Sequence, residues 1–213
     1  APRAPRARPS MDWLLLTPRG VATFAATNAD DALLMLTFFG DRRFRARHVF
    51  VGQALGIGLL VLLSLAGAAL ALALPERWIG LLGLLPIALG LRELSARRRV
   101  GDDEPAGVEP SIGSRATGWQ RAAAVAGVAV ANGGDNIGVY VPLFAARPPA
   151  QVALLLAVFA VMLTAWLFGA FYLARRSPFA SGIHHTVDRL APYILIGLGM
   201  LILAESFLPP MLY

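Results

Sequence analysis

The sequence predicts an all-α polytopic membrane protein with six transmembrane helices, arranged as two inverted three-helix repeats. Three observations predict it. Of the 213 residues, 57% are hydrophobic, the mean hydropathy is +0.62, and only 15% are charged, against about 25% in ordinary soluble domains. Several apolar runs reach the roughly 20 residues that cross a bilayer, and most lack the polar face of a soluble amphipathic helix. The polar pattern Asn-x-x-Asp occurs twice inside apolar runs, as Asn28/Asp31 and Asn132/Asp135.

The elements are expected in this order. Residues 1–18 form a disordered tail whose first ten, APRAPRARPS, are rich in Pro, Arg and Ala and too polar to pack. No A-x-A-like cleavage site follows the first apolar run, which argues against a signal peptide. The first repeat covers residues 19–94, with helices near 20–39, 49–73 and 78–94 and a tight turn at Pro75-Glu76-Arg77. Pro86, flanked by Gly83 and Gly90, is expected to kink the third helix. Residues 95–117 are polar and rich in Gly and Pro, and so form a long cytoplasmic linker. The second repeat covers 118–213, with helices near 118–144, 150–174 and 190–208. Its first helix should break near Gly133, because Gly133-Gly134 weakens the helix.

Charge gives orientation. All 19 basic residues are arginine, and thirteen fall on one set of loops if both termini lie outside. Cytoplasmic loops carry the positive excess, so both termini are expected outside. The net charge of +6 is therefore read as membrane topology, and no nucleic-acid partner is expected. There is no cysteine, which excludes disulfides, thiolate metal ligands and a cysteine nucleophile. No P-loop and no grouped Ser/His/Asp set occurs, so the chain is not expected to be an enzyme and needs no resident cofactor. Oligomeric state cannot be read from it.

The chemistry lies in the two polar motifs. Asp30, Asp31 and Asp135 are expected near the bilayer midplane, where each ionised carboxylate costs about 2.5–3.5 kcal/mol. No deep Lys or Arg neutralises them, so a bound cation, protons or cavity water must. Carboxylate and amide oxygens suit a cation. Asn28 and Asp31, three residues apart, share a helix face, as do Asn132 and Asp135; Asp30 and Asn136 widen each patch. Thr27, with Thr23, offers hydroxyls one turn away. Gly133 and Gly134 would let the helix unwind and release carbonyls. Gln53 lies within the small-residue packing pattern Gly52-x-x-x-Gly56, close enough to reach the site, and a carbonyl exposed at Pro86 would add to it. His184-His185, near Asp188, is a weaker regulatory metal candidate.

The stretches TNADDALLMLTFF and NGGDNIGVYVPLF, with VGQALG, LLGLLPIALG and YILIGLGMLILAES, resemble the cadmium resistance transporter family of the lysine-exporter superfamily, over most of residues 11–208. The resemblance implies a plasma-membrane exporter of divalent cations that confers metal resistance. It marks Asn28, Asp30, Asp31, Asn132, Asp135 and Asn136 as substrate residues. The expected partners are a divalent cation, the lipid bilayer and, by antiport, protons. The competing readings are an exporter of a cationic amino acid or other small organic cation, and a non-transporting membrane scaffold.

Overall fold

The computed structural model describes residues 9–73, 78, 81–99, 116–176 and 192–204, and among these every regular element is helical. The side chain of Asp30 is outside the described groups. The helices are α1 (Pro9–Thr27), α2 (Ala29–Gly40), α3 (Ala46–Ala71), α4 (Leu84–Arg99), α5 (Gly118–Asn132), α6 (Gly134–Ala145), α7 (Pro149–Arg176) and α8 (Pro192–Ala204).

Two helices are long and apolar enough to cross a membrane by length and composition, Ala46–Ala71 and Pro149–Arg175, and Pro192–Ala204 is a shorter apolar helix. Both long helices expose large aliphatic side chains, Leu70 at 76% and Val161 at 68%. Water is a poor solvent for such a surface. The expected helix near 20–39 is two helices, because the chain leaves helical geometry at Asn28 (φ −120°, ψ 19°). The expected break in the second motif is found at Gly133 (φ −78°, ψ 24°). At about 1.5 Å per residue, twelve-residue α2 and α6 each reach about 18 Å, half to two-thirds of a bilayer core.

Other boundaries also differ from expectation. Helix α1 starts at Pro9, so residues 9–18 are helical where a disordered tail is expected. Proline is favoured in a first helical turn, where its missing N–H would be unpaired anyway, and Met11–Leu16 carry the apolar pattern onward. The same rule applies to Pro86: residues 78 and 81 are helical, a turn at 82–83 interrupts the expected third helix, and Pro86 stands in the first turn of α4 directly after it. Helix α4 runs on to Arg99, five residues into the expected linker. The turn at 75–77, most of that linker, His184, His185 and Asp188 lie outside the described residues.

Local chemistry sets the other ends. Asp41 ends α2 in extended geometry and accepts hydrogen bonds from the Arg43 N–H and Nε, both at 2.8 Å. The Arg43 side chain holds the Asp41 carboxyl below its usual range. Helix α5 begins with a reciprocal cap: Gln120 N–H donates to Thr117 Oγ1, and Thr117 N–H to Gln120 Oε1, pairing two donors that the first turn leaves open.

The bundle pairs α3 with α5 and α6, α7 with α1 and α2, and α4 with α6. Glycines allow the closest approach. A Cβ on Gly52 would strike the Ala122 carbonyl and stand 2.6 Å from Val125 Cβ, and one on Gly56 would stand 2.6 Å from Ala129 Cβ. The small-residue pattern is therefore the α3–α5 seam. Gly83 and Gly90 similarly admit Gly199 and Pro192 of α8. An aromatic core of Phe24, Tyr140, Phe144 and Phe159 joins α1, α6 and α7, with Tyr140 and Phe159 ring centroids 4.8 Å apart.

The seam makes a direct prediction. Gly52→Val should destabilise the protein by about 1–3 kcal/mol through overpacking. Gly58, whose Cβ position meets nothing within 4 Å, should tolerate Gly58→Ala with equal or higher stability. Thermal unfolding in detergent measures both; equal midpoints for the two variants would remove the seam from this account.

Candidate cation site

The site forms where the first broken helix meets α3 and α6. Thr27 closes α1, Asn28 occupies the break, and Asp31 lies in the first turn of α2. All three are buried, as are Gln53 on α3 and Asn136 on α6. Tyr140 is fully buried beside them. It follows Asn136 by one turn, so both occupy the same face of α6.

Hydrogen bonds tie the break to α6. The Asn28 Nδ2 lies 2.9 Å from the Phe24 carbonyl, 3.0 Å from Thr27 Oγ1 and 3.0 Å from the Tyr140 hydroxyl, three acceptors around its two protons. Thr27 Oγ1 and the Tyr140 hydroxyl are 2.9 Å apart. Thr27 also donates to the Thr23 carbonyl at 3.1 Å, while Thr23 spends its own hydroxyl on the Arg19 carbonyl. These threonines are connectors, whereas the sequence pattern offers them as ligands.

Gln53 Nε2 donates to Asp31 Oδ2 at 2.7 Å. Gln53, which the sequence places in a packing pattern, is thus a direct partner of a buried carboxylate. A hydrogen bond to a charged group contributes about 1.5–3 kcal/mol. Asp135 stands in the first turn of α6, half-buried, and accepts the Asn136 backbone N–H at 2.9 Å.

The breaks change the electrostatics expected from sequence. Asp31 and Asp135 each lie in the first turn of a new helix. There the open N–H groups carry partial positive charge, worth about 0.3–2 kcal/mol to an anion. That offsets part of the roughly 2.5–3.5 kcal/mol that an ionised carboxylate costs in a membrane interior.

Two carboxamide oxygens complete the picture. Asn28 Oδ1 and Asn136 Oδ1 are buried and have no hydrogen-bond partner, though each residue is only 1% exposed. An unpaired buried acceptor costs about 1–3 kcal/mol, and a cation would relieve that cost. Among the described residues no group of three His, Cys, Asp or Glu side chains is placed to hold a metal ion; Asp30, one of the expected trio, has its side chain outside the description.

The other candidates take different places. Gly133 is buried at the second break, where a Cβ would collide with the Leu60 side chain. Gly134 is exposed, and Asn132 is half-buried at the end of α5. Pro86 is buried on α4, which packs against α6. Tyr140 is a neighbour of the site that sequence reasoning missed. Its signal was a lone phenol hydroxyl in an apolar run, since a buried tyrosine hydroxyl needs a partner.

A family profile described as cadmium resistance transporter matches residues 24–212, a span that holds both breaks and every residue of the two polar motifs. No curated protein and no solved structure matches the chain.

The Gln53–Asp31 contact is testable through stability alone. Gln53→Leu should cost about 1–3 kcal/mol, because it strips a donor from a buried carboxylate. Combining it with Asp31→Leu should cost less than the two single losses together, as replacing both partners leaves no unpaired group. Strictly additive unfolding midpoints would show that the two side chains are not coupled.

Proposed function

The chain belongs to the cadmium resistance transporter family, and from that premise we propose that it exports a divalent metal cation, cadmium or a similar ion, across the plasma membrane and so confers metal resistance. The observation that carries this reading is the pair of buried, unpartnered oxygens on Asn28 and Asn136, set beside the buried carboxylate of Asp31. Asp135 and Asp30 supply further charge, and Asn132 a further amide, from the two motifs. Every donor in this set is oxygen, because the chain has no cysteine. Such a set takes a divalent cation without demanding a soft one.

The architecture proposed for transport is a pair of inverted three-helix repeats around this site. The pairing of helices supports it. The broken helix of the first half packs on α7, the middle helix of the second half, and the broken helix of the second half packs on α3, the middle helix of the first. Exchanging the halves maps one contact onto the other. Three spans per half would insert the second half in the opposite sense, with both termini outside. Discontinuous helices at a repeat interface are a recurrent place for ion sites in secondary transporters. Rocking of the halves would expose the site to each side in turn. Protons on the carboxylates during the return step would make the cycle a cation/proton antiport.

Purified protein in liposomes loaded with a fluorescent divalent-metal chelator tests this reading. Wild type should import Cd²⁺ at a rate that responds to an imposed proton gradient. Asp135→Asn and Asp31→Asn should each lower the initial rate at least about 10-fold, the scale of losing a group that organises a metal. Undiminished Cd²⁺ flux in both variants would overturn the proposal. Transport of labelled lysine without Cd²⁺ transport would replace it with export of a cationic amino acid.

A further inference from the structure

We propose that Tyr140 is the positioning residue of the cation site: its hydroxyl holds the Asn28 carboxamide, and with it the break between α1 and α2, in register with Asn136 on α6. This rests on the reading of Asn28 and Asn136 as cation ligands. It adds a residue that neither the two motifs nor the balance of charge points to.

The argument begins with proton counting. The Phe24 carbonyl can only accept, so the Asn28 atom 2.9 Å from it must be the amide nitrogen. That orients the carboxamide and sends Oδ1 the other way, where it has no partner. Thr27 has one hydroxyl proton, which the Thr23 and Phe24 carbonyls, at 3.1 and 3.4 Å, both attract. Thr27 Oγ1 is therefore the acceptor towards Tyr140, and the phenol proton goes to it across 2.9 Å. The phenol oxygen is left to accept from Asn28 Nδ2. The two Asn28 Nδ2 protons then go to the Phe24 carbonyl and the Tyr140 hydroxyl, and the 3.0 Å approach of Nδ2 to Thr27 Oγ1 is a contact without a proton of its own.

Tyr140 is also the link across the chain. Thr27, Phe24 and Asn28 lie within five residues of one another, and their mutual bonds are local. The two contacts to Tyr140 span more than one hundred positions, 113 from Thr27 and 112 from Asn28. Its ring is fixed among Phe144 and Phe159 at centroid distances of 5.9 and 4.8 Å. Asn136 is one turn away on the same face. A rigid ring with its hydroxyl on the break therefore ties Asn28 to the helix that carries Asn136.

Initial rates of Cd²⁺ uptake into chelator-loaded liposomes, across a range of Cd²⁺ concentrations, test this. Tyr140→Phe keeps the ring and removes only the hydroxyl. It should raise KM roughly 3- to 10-fold, the effect of one hydrogen bond on an equilibrium constant, with maximal rate within about two-fold. Thr27→Val breaks the same link from the other side and should raise KM alike. In an Asn136→Ala background, Tyr140→Phe should add no further increase, because there is no second oxygen to register. An unchanged KM in Tyr140→Phe, or an increase that multiplies with that of Asn136→Ala, would overturn the proposal. If Asn28→Ala and Asn136→Ala leave KM as in wild type, the cation reading of these amides falls and Tyr140's role with it. If those two raise KM and Tyr140→Phe does not, only Tyr140's role falls.

Discussion

A helix that stops inside an apolar bundle leaves backbone and side-chain polar groups that something must satisfy, and this chain stops a helix there in each of its two polar motifs. Asn28 and Gly133 interrupt what would otherwise be continuous apolar runs. Each interruption creates a helix N-terminus in the interior, and each N-terminus holds a carboxylate in its first turn. Placing the charge there costs less than placing it mid-helix, because the open N–H groups are already polarised towards it. The local pairings account for most of the remaining polar atoms: Gln53 on Asp31, the Asn136 N–H on Asp135, and the Tyr140 hydroxyl with Thr27 and Asn28. Within the two motifs the amide oxygens of Asn28 and Asn136 are left over.

The glycine seam and the site depend on one another. Gly52 and Gly56 bring α3 onto α5, and Gln53 is the residue between them in sequence. One step along a helix turns the side chain by about 100°. The close approach that Gly52 permits therefore aims its neighbour at a different helix, where it meets Asp31. Gly133 plays the same part from the other side, since it makes room for the Leu60 side chain of α3 at the second break. Helix α3 is thus fixed against the second broken helix by small residues and tied to the first by a hydrogen bond. A bulkier residue at Gly52 would act on the carboxylate without touching it.

The membrane character, the helical class and the break at Gly133 were all legible in the sequence, because each rests on composition or on a residue with a strong local effect. Gly133-Gly134 announces a weak point. ATNADDA is a weaker cue: Asn is a favoured N-cap and acids favour a first turn, but the side chain of Asn28 makes no cap bond and is held instead against Phe24 and Tyr140. That part of the cause is tertiary, and no local pattern carries it. Tyr140 was illegible for the same reason, since its partners lie more than one hundred residues away. Pro86 is a local cue of the same kind as Gly133: proline suits the first turn of a helix, and the expected third helix is interrupted at 82–83 just before it.

The strength of the Tyr140 link bears on whether such a site can open. Two hydrogen bonds between neutral groups, at about 0.5–1.5 kcal/mol each, hold α6 to the first break; the ring contacts of Tyr140 are mainly with Phe144 of its own helix and Phe159 of α7. Separating α6 from Asn28 would therefore cost about 1–3 kcal/mol in polar contacts. A gap of a few kcal/mol leaves the minor state populated at roughly 0.1–10%, which is enough for a conformational cycle and small enough for a ligand to bias. A salt bridge at the same place would behave differently, because breaking a buried ion pair strands a charge and costs about 3–5 kcal/mol. A phenol, a hydroxyl and an amide make a joint that is specific in geometry and cheap to break. The cation itself would then be the main cross-link between the two amide oxygens, so that its arrival and departure govern whether the two sides stay together.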